Sequence, residues 1–199
     1  MDKRGVARPG RPRSERARHA VLEATRSLLT DKGLPGLTVD EIAAHAGVSK
    51  NTIYRWWPNK AAVLMDAFTA ATSIKLEAPA EGTAVQRFRA QVHRVARLMN
   101  EPEARRPFIA LVAASQHDPE LAAALRDRFV ADRRAAAVAL LDQVARENPN
   151  GVNFKPDVVI DLVYGALYYR LLITGQHLDA PYVDCLLDAT VGPEAISSD

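Results

Sequence analysis

Residues 38–60 read TVDEIAAHAGVSKNTIYRWWPNK, and this stretch decides the fold of the N-terminal third of the chain. Thr38, with glutamate three residues later, forms the pattern of a capping box, which starts a helix. Gly47 accepts the positive φ that a sharp bend after this helix requires. Ser49 is a favourable N-cap for a second helix, which must end at Trp57 because proline follows. The pattern predicts two short helices joined by a tight turn.

The same stretch separates inward from outward positions. Ala43 is small where the two helices would touch, and Ile42, Val48 and Ile53 would form a small shared core. With Ile53 turned inward, the outer face of the second helix carries Lys50, Asn51, Tyr54 and Arg55. A helix with such a face fits the major groove of B-DNA, where side chains near its N-terminus reach base edges. The spacing indicates a helix-turn-helix that binds double-stranded DNA.

Basic charge is concentrated around this stretch. Residues 1–60 hold 12 of the 26 Lys and Arg residues but only 6 of the 24 Asp and Glu residues. The rest of the chain is therefore acidic, although the whole protein carries a formal charge of only +2. This distribution is typical of a protein whose N-terminal part contacts a polyanion.

Other sequence features limit the class of protein. Cys185 is the single cysteine, which excludes an internal disulfide and a cysteine-based zinc cluster. There is no Gly-rich phosphate loop, GxSxG, HExxH or CxxC motif, and the five histidines are scattered, so we expect neither an enzyme nor a metal or cofactor. No apolar run approaches the ~20 residues that span a bilayer, and no secretory signal is present. We expect a cytoplasmic protein that does not contact membranes.

The remaining pattern is helical throughout, with no strand-like alternation. We expect an all-α fold of about nine helices, with an N-terminal three-helix DNA-binding domain and a larger helical domain. The expected divisions are a disordered basic arm over 1–13, the helix-turn-helix domain over 14–60, a connecting helix over 61–77 and the larger domain over 78–199. The predicted helices run from Ser14 to Gly33, from Thr38 to Gly47, from Ser49 to Trp57, from Asn59 into the connecting helix, and then over about Thr83–Asn100, Ala104–His117, Asp118–Glu147, Asp157–Thr174 and Ala180–Val191, with a loop at Asn148–Pro156.

The helix-turn-helix stretch resembles the TetR family of repressors. The shared pattern is present as Thr38, Ile42-Ala43, Ala46-Gly47-Val48-Ser49, Tyr54 and Asn59-Lys60, and the match covers about residues 15–65. The family commonly has His-Phe where this chain has Trp56-Trp57. We place Trp57 in the core position of the phenylalanine and Trp56 in the position of the histidine, facing the DNA backbone.

The resemblance implies roles for the exposed residues. Thr38, Tyr54 and Lys60 would hold phosphates, while Lys50 and Asn51 would read bases. Thr52 would contact a phosphate or a thymine methyl group, with Arg55 nearby.

The basic arm offers a second contact with DNA. Arg11 lies within, and Arg13 directly after, a Pro-Gly-Arg-Pro core that can stay extended, and an extended Arg-rich strand suits a narrow A·T minor groove. Alternatively, the arm is a solvated tail that adds only non-specific attraction.

The last two helices are the expected interface of a homodimer. A palindromic operator requires two recognition helices related by two-fold symmetry, and TetR-like proteins pair through such helices in a four-helix bundle. The alternative is that these helices only close the core of one subunit. The proposed interface residues are Val159, Leu162, Val163, Ala166, Leu167, Tyr182, Leu186 and Leu187.

The central helices would, by the same resemblance, enclose an effector pocket. We expect an apolar or aromatic small molecule whose binding releases the repressor from its operator. Alternatively, these apolar residues only form part of the hydrophobic core. In that case the protein would be a redox- or partner-controlled regulator without a small-molecule pocket. Cys185 would be the redox-sensitive group of such a regulator. The proposed lining residues are Phe88, Val92, Met99, Phe108, Leu111, Phe129 and Tyr164.

Overall fold

The structure is a computed structural model that describes residues 11–76, 78–147 and 155–193, with side chains described at 15–72, 78–147 and 155–193. These residues form helices and connecting turns, without a strand. The chain divides into two compact units, the first ending at Ala71 and the second beginning at Thr72.

The first unit contains α1 (Arg11–Lys32), α2 (Val39–Ala46), α3 (Lys50–Tyr54) and most of α4 (Lys60–Leu76). Helix α1 packs against α2 and α3. Its buried side chains include Val21, Leu28 and Leu29, which meet the small core predicted around Ile42 and Ile53, both fully buried. Helices α1 and α2 therefore form a compact base that supports α3.

The second unit is built around α5 (Ala84–Asn100), which packs against α6 (Pro102–Ser115), α8 (Ala131–Glu147) and α10 (Ala180–Val191). Helix α7 (Pro119–Leu125) follows α6, and α9 (Pro156–Tyr168) packs against α8 and α10.

Two turns of π-helix interrupt this unit, at Arg126–Val130 and Tyr169–Ile173. The first joins α7 to α8 without a break, and the second extends α9, so the described residues form nine continuous helical segments. A π-helical turn contains more residues than an α-helical turn and is often found at functional sites.

Capping side chains set several helix starts in the second unit. Thr83 accepts a hydrogen bond from the backbone N–H of Gln86, whose side chain accepts one from the backbone N–H of Thr83. Asp118 caps α7 ahead of a proline at the first helical position. Both residues lie at helix starts that the sequence predicts. Asp179 caps α10.

A buried arginine ties α5 to α10. Arg89 is only 8 % exposed, and its guanidinium donates to a carboxylate oxygen of Asp188 at 2.7 Å and to the carbonyl of Gly192 at 3.1 Å. His93 lies 2.8 Å from the carboxylate of Asp184 on the same face. These polar contacts fix the register between two helices that otherwise meet through apolar side chains.

Some predicted boundaries are wrong by a few residues. Helix α1 begins at Arg11 instead of Ser14, so the segment expected as an arm to residue 13 is helical over its last three residues. Helix α3 ends at Tyr54 instead of Trp57. The arm over 1–10 and most of the loop expected at Asn148–Pro156 lie outside the described residues, and α9 begins at Pro156.

Candidate nucleic-acid interface and ligand cavity

The capping box at the start of α2 is fully formed. The Thr38 hydroxyl accepts a hydrogen bond from the backbone N–H of Glu41 at 3.2 Å, and the backbone N–H of Thr38 donates to the Glu41 carboxylate at 3.1 Å. This second bond, together with Lys32, lowers the pKa of Glu41. Thr38 is thus held in an exposed, extended conformation at the N-terminus of α2, where backbone N–H groups favour an anion.

The turn between α2 and α3 depends on Gly47. Its φ of 66° lies in the left-handed region, and the N–H of Val48 donates to the carbonyl of Ala43 at 3.0 Å. Ser49 then accepts a hydrogen bond from the backbone N–H of Thr52 at 3.2 Å and starts α3. The sequence interpretation of this turn is confirmed.

Helix α3 presents polar side chains to the surface. Ile53 is fully buried, and Tyr54 is 50 % exposed. The exposed set agrees with the outer face deduced from the sequence and comprises Lys50, Asn51, Tyr54 and Arg55. Thr52 differs, because it is half-buried and its hydroxyl lies 3.0 Å from that of Ser49. Its hydroxyl is therefore engaged in the cap of α3.

An ion pair that the sequence interpretation missed lies beside this face. The Lys50 Nζ is 2.7 Å from a carboxylate oxygen of Asp40, with both side chains more than half exposed. The hydrogen bond to Asp40 raises the pKa of Lys50. Asp40 places a negative charge next to the residues expected to approach DNA, and it holds the head group of one of them.

Replacing Asp40 by asparagine should strengthen DNA binding. The change removes a charge that phosphates would repel and frees Lys50, so we expect affinity at low salt to rise roughly three- to tenfold, with a steeper salt dependence. Fluorescence anisotropy over a range of salt concentrations measures both quantities. Asp31→Asn is the matched control, because Asp31 is also exposed but contacts Ser27. A lower affinity for Asp40→Asn would show that Asp40 positions Lys50 for DNA.

The two tryptophans occupy different environments. Trp57 is 2 % exposed and donates a hydrogen bond from Nε1 to Asp66 at 2.8 Å, whereas Trp56 is 37 % exposed. The predicted core position of Trp57 is thus confirmed. Arg18, which the sequence interpretation did not single out, lies with its guanidinium 6.0 Å from the ring centroids of both tryptophans. It adds a cation from α1 beside the exposed ring.

Lys60 is anchored at the start of α4. Its Nζ donates to the carbonyl of Leu37 at 3.1 Å, next to the capping residue Thr38. Asn59 accepts a hydrogen bond from the backbone of Ala62 and caps α4 as predicted. Lys60 is exposed, so one ammonium group both braces the start of α2 and faces the solvent beside it. The side chains of Arg11 and Arg13, the proposed minor-groove contacts, lie outside the described residues.

The second unit contains a cavity of about 310 Å³ between α5, α8 and α9. Its size is at the small end of the range of about 300–1,000 Å³ that is usual for ligand sites. The lining residues are Gln91, Val95, Met99, Phe129, Val130, Arg133, Arg134, Ile160, Asp161, Tyr164, Gly165 and Tyr168.

Of the residues expected to line an effector pocket, Met99, Phe129 and Tyr164 line this cavity. The other four are at most 3 % exposed and do not line it: Phe88, Val92, Phe108 and Leu111. Apolar spacing could not distinguish the two groups, since both lie on inward faces of helices. The polar lining residues Gln91 and Arg133 were missed because the sequence interpretation considered only apolar positions.

The residues predicted for the dimer interface fall into two groups, one buried and one at least partly exposed. Val159, Val163, Leu167 and Leu187 are fully buried in the core of their own unit, so assigning them to an interface is wrong. Of the others, Leu162 is 44 % exposed, while Ala166, Tyr182 and Leu186 are half-buried.

Other apolar residues on the same helix are exposed and form a stripe on the surface. On α9 and the π-helical turn after it, four large apolar side chains at helical spacing are between 42 and 71 % exposed: Val158, Leu162, Tyr169 and Ile173. Cys185 on α10 is exposed as well.

No helix in the part of the chain that the structure describes combines the length and hydropathy needed to cross a membrane. The same residues contain no cluster of three or more His, Cys, Asp or Glu side chains arranged to hold a metal ion.

A short exposed helix mounted on α2 through a glycine turn, with Lys50 and Asn51 at its N-terminus, defines a helix-turn-helix DNA-binding unit. Residues 21–67 match the family model of bacterial regulatory proteins of the tetR family, and residues 78–190 match that of the tetracyclin repressor-like C-terminal domain. The chain belongs to the TetR family of transcriptional regulators.

Individual proteins that are similar to this chain are also transcriptional regulators. The chain is 40 % identical over 190 residues to YdeS, an uncharacterized HTH-type transcriptional regulator of Bacillus subtilis, covering 95 % of this chain and 96 % of YdeS. Among solved structures, the TetR family regulator SCO0332 aligns with a TM-score of 0.73 and 32 % identity, covering 86 % of this chain and 94 % of that one. A putative TetR-family regulator from Rhodococcus sp. shares the fold at 16 % identity, with a TM-score of 0.70, covering 88 % of this chain and 98 % of that one. The family and these relatives are transcriptional regulators and not enzymes.

Proposed function

We propose that this protein is a dimeric, cytoplasmic repressor that binds a palindromic operator and is released when a small molecule occupies the cavity of the second unit. The observation that carries the proposal is the division of residues on α3. Lys50, Asn51 and Arg55 are exposed, while Ile53 is buried. This arrangement leaves a polar face free for base edges and phosphates.

The cavity favours control by a small molecule over control by redox state or by a protein partner. It lies among helices of the second unit, and three aromatic side chains line it, which suits an aromatic ligand. The exposed apolar stripe on α9 supports a dimer, because contiguous exposed apolar surface is commonly covered by a partner.

The test of DNA binding separates phosphate contacts from base readout. Operator sequences selected from a random pool by the purified protein should be palindromic. On such an operator, Asn51→Ala should cost about 1–3 kcal/mol of binding free energy and leave non-specific binding nearly unchanged. Lys60→Ala should weaken binding to all sequences and reduce the slope of log K against log salt by about 0.9.

Lys60→Arg is the control, because it keeps a cation that can still donate to the carbonyl of Leu37. Thermal unfolding of each variant should be followed by circular dichroism, since Lys60→Ala also removes that hydrogen bond. If Lys60→Ala abolished only the specific part of binding, the assignment of Lys60 to phosphate would be wrong.

A further inference from the structure

The cavity contains a buried hydrogen-bond acceptor without a partner. Gln91 is 6 % exposed and lines the cavity from α5. Its Oε1 atom accepts no hydrogen bond from any residue that the structure describes. Because buried polar atoms are nearly always hydrogen-bonded, an unpartnered oxygen in a ligand cavity indicates a donor on the ligand.

The cavity also contains a cation that forms no salt bridge with a carboxylate of the described residues. The guanidinium of Arg133 donates to the carbonyl of Phe129 at 2.8 Å and lies 4.1 Å from the centroid of the Phe129 ring. No carboxylate in the described parts of the chain forms an ion pair with it, and burial lowers its pKa. The free energy of a partly buried cation of this kind falls when an anion approaches.

The adjacent arginine behaves differently. Arg134 also lines the cavity, but its guanidinium is 2.8 Å from Asp161 and 2.9 Å from Asp157. Its charge is therefore already balanced. Asp161 is the carboxylate among the lining residues, and it is engaged in this pair. Among the described residues that line the cavity, Arg133 is therefore the one whose charge is not balanced by a salt bridge.

Two tyrosines supply neutral hydroxyl groups near Arg133. Burial raises the pKa of Tyr168 to about 12 and raises that of Tyr164 further still, so both remain protonated at neutral pH. A protonated tyrosine can donate to an anion and gives an aromatic surface as well. The rings of Tyr164 and Tyr168 lie 6.2 Å apart.

We propose that the cavity binds an aromatic monocarboxylic acid that also carries a hydroxyl or amine, with its carboxylate at Arg133 and its donor at the Oε1 of Gln91. This inference rests on the proposed function of the cavity as the effector site and names the chemical class of the effector. It refines the expectation of a purely apolar or aromatic ligand.

The test uses small naphthalene probes on the full-length protein. Isothermal titration calorimetry gives the dissociation constants of 6-hydroxy-2-naphthoate and 3-hydroxy-2-naphthoate, of the methyl ester of each, and of 2-naphthoate. The tighter hydroxy acid should bind at least about tenfold more tightly than its ester, because a charge-assisted hydrogen bond is lost in the ester. It should also bind more tightly than 2-naphthoate.

Two substitutions assign these preferences to residues. Arg133→Met should bring the ratio of acid to ester affinity close to one, and Arg133→Lys should retain the preference for the acid. Gln91→Met should remove the preference for the hydroxylated acid over 2-naphthoate. Arg126→Met is the matched control, because Arg126 is exposed on the π-helical turn that precedes α8 and does not line the cavity. Each ratio compares two ligands on one variant, so a general loss of stability does not alter it.

The outcomes separate this proposal from the function on which it rests. Binding of neither acid, equal binding of acid and ester to the unmodified protein, or an unchanged ratio in Arg133→Met would overturn the ligand class. If the acid binds in the predicted way but does not release operator DNA in an anisotropy assay, the ligand class stands and control of DNA binding by the cavity is wrong.

Discussion

Replacing Trp57 by alanine is expected to lower the free energy of unfolding of the first unit by about 3–5 kcal/mol, the usual cost of deleting a buried aromatic side chain. The ring is 2 % exposed, and its Nε1 hydrogen bond to Asp66 would be lost with it. Because this loss is comparable to the whole stability of a small domain, DNA binding should disappear with the fold of the unit.

The measurement is chemical denaturation followed by tryptophan fluorescence. The chain has two tryptophans, so Trp56 becomes the sole reporter in the Trp57→Ala variant and specifically reports the first unit. Trp56→Ala is the matched control, because its ring is 37 % exposed and its loss should change stability by about 0.5 kcal/mol or less. Equal destabilisation by the two substitutions would contradict the assignment of Trp57 to the core.

Introducing a charge into the apolar stripe should disrupt the proposed dimer and strongly lower the affinity for the operator. Leu162→Asp places a carboxylate at a side chain that is 44 % exposed, in the middle of the stripe on α9. We expect a folded monomer, because the residue is not part of the core. A monomer reads one half-site at a time, so affinity for a palindromic operator should fall by about 100-fold or more.

Sedimentation velocity gives the oligomeric state, and fluorescence anisotropy gives the operator affinity. Ala139→Asp is the control, because Ala139 is exposed on α8 and outside the stripe. The dimer proposal would be abandoned if the unmodified protein sedimented as a monomer at micromolar concentration. A dimer that persists in Leu162→Asp would place the interface elsewhere.

Local signals in the sequence predicted the helix starts and the sharp turn well. The capping residues Thr38, Thr83 and Asp118 act on backbone groups within three residues, so no knowledge of the tertiary structure is needed to interpret them. Gly47 is equally local, since its positive φ is a property of one residue. Such local signals are sufficient to predict where the helices start and which side chains of α3 face outward.

Features that depend on tertiary contacts could not be predicted in this way. Helix α9 is apolar nearly all round, so its periodicity does not show that Val163 is buried and Leu162 exposed. The pairing of Lys50 with Asp40 depends on how α2 and α3 cross. Similarly, the unpartnered oxygen of Gln91 is visible only once the helices around it are in place.

The π-helical turn at Arg126–Val130 makes the ligand cavity sensitive to chain length. Each residue of an α-helix rotates the chain by about 100°, so the widened turn shifts the register of α8 relative to that of α7. Phe129 and Val130 lie within this turn, and Arg133 donates to the carbonyl of Phe129 directly after it. A relative that lacks one residue here would keep a continuous helix but present different side chains to the cavity. Insertion or deletion of a single residue in this turn would thus change which side chains line the cavity, and leave the residues of the first unit unchanged.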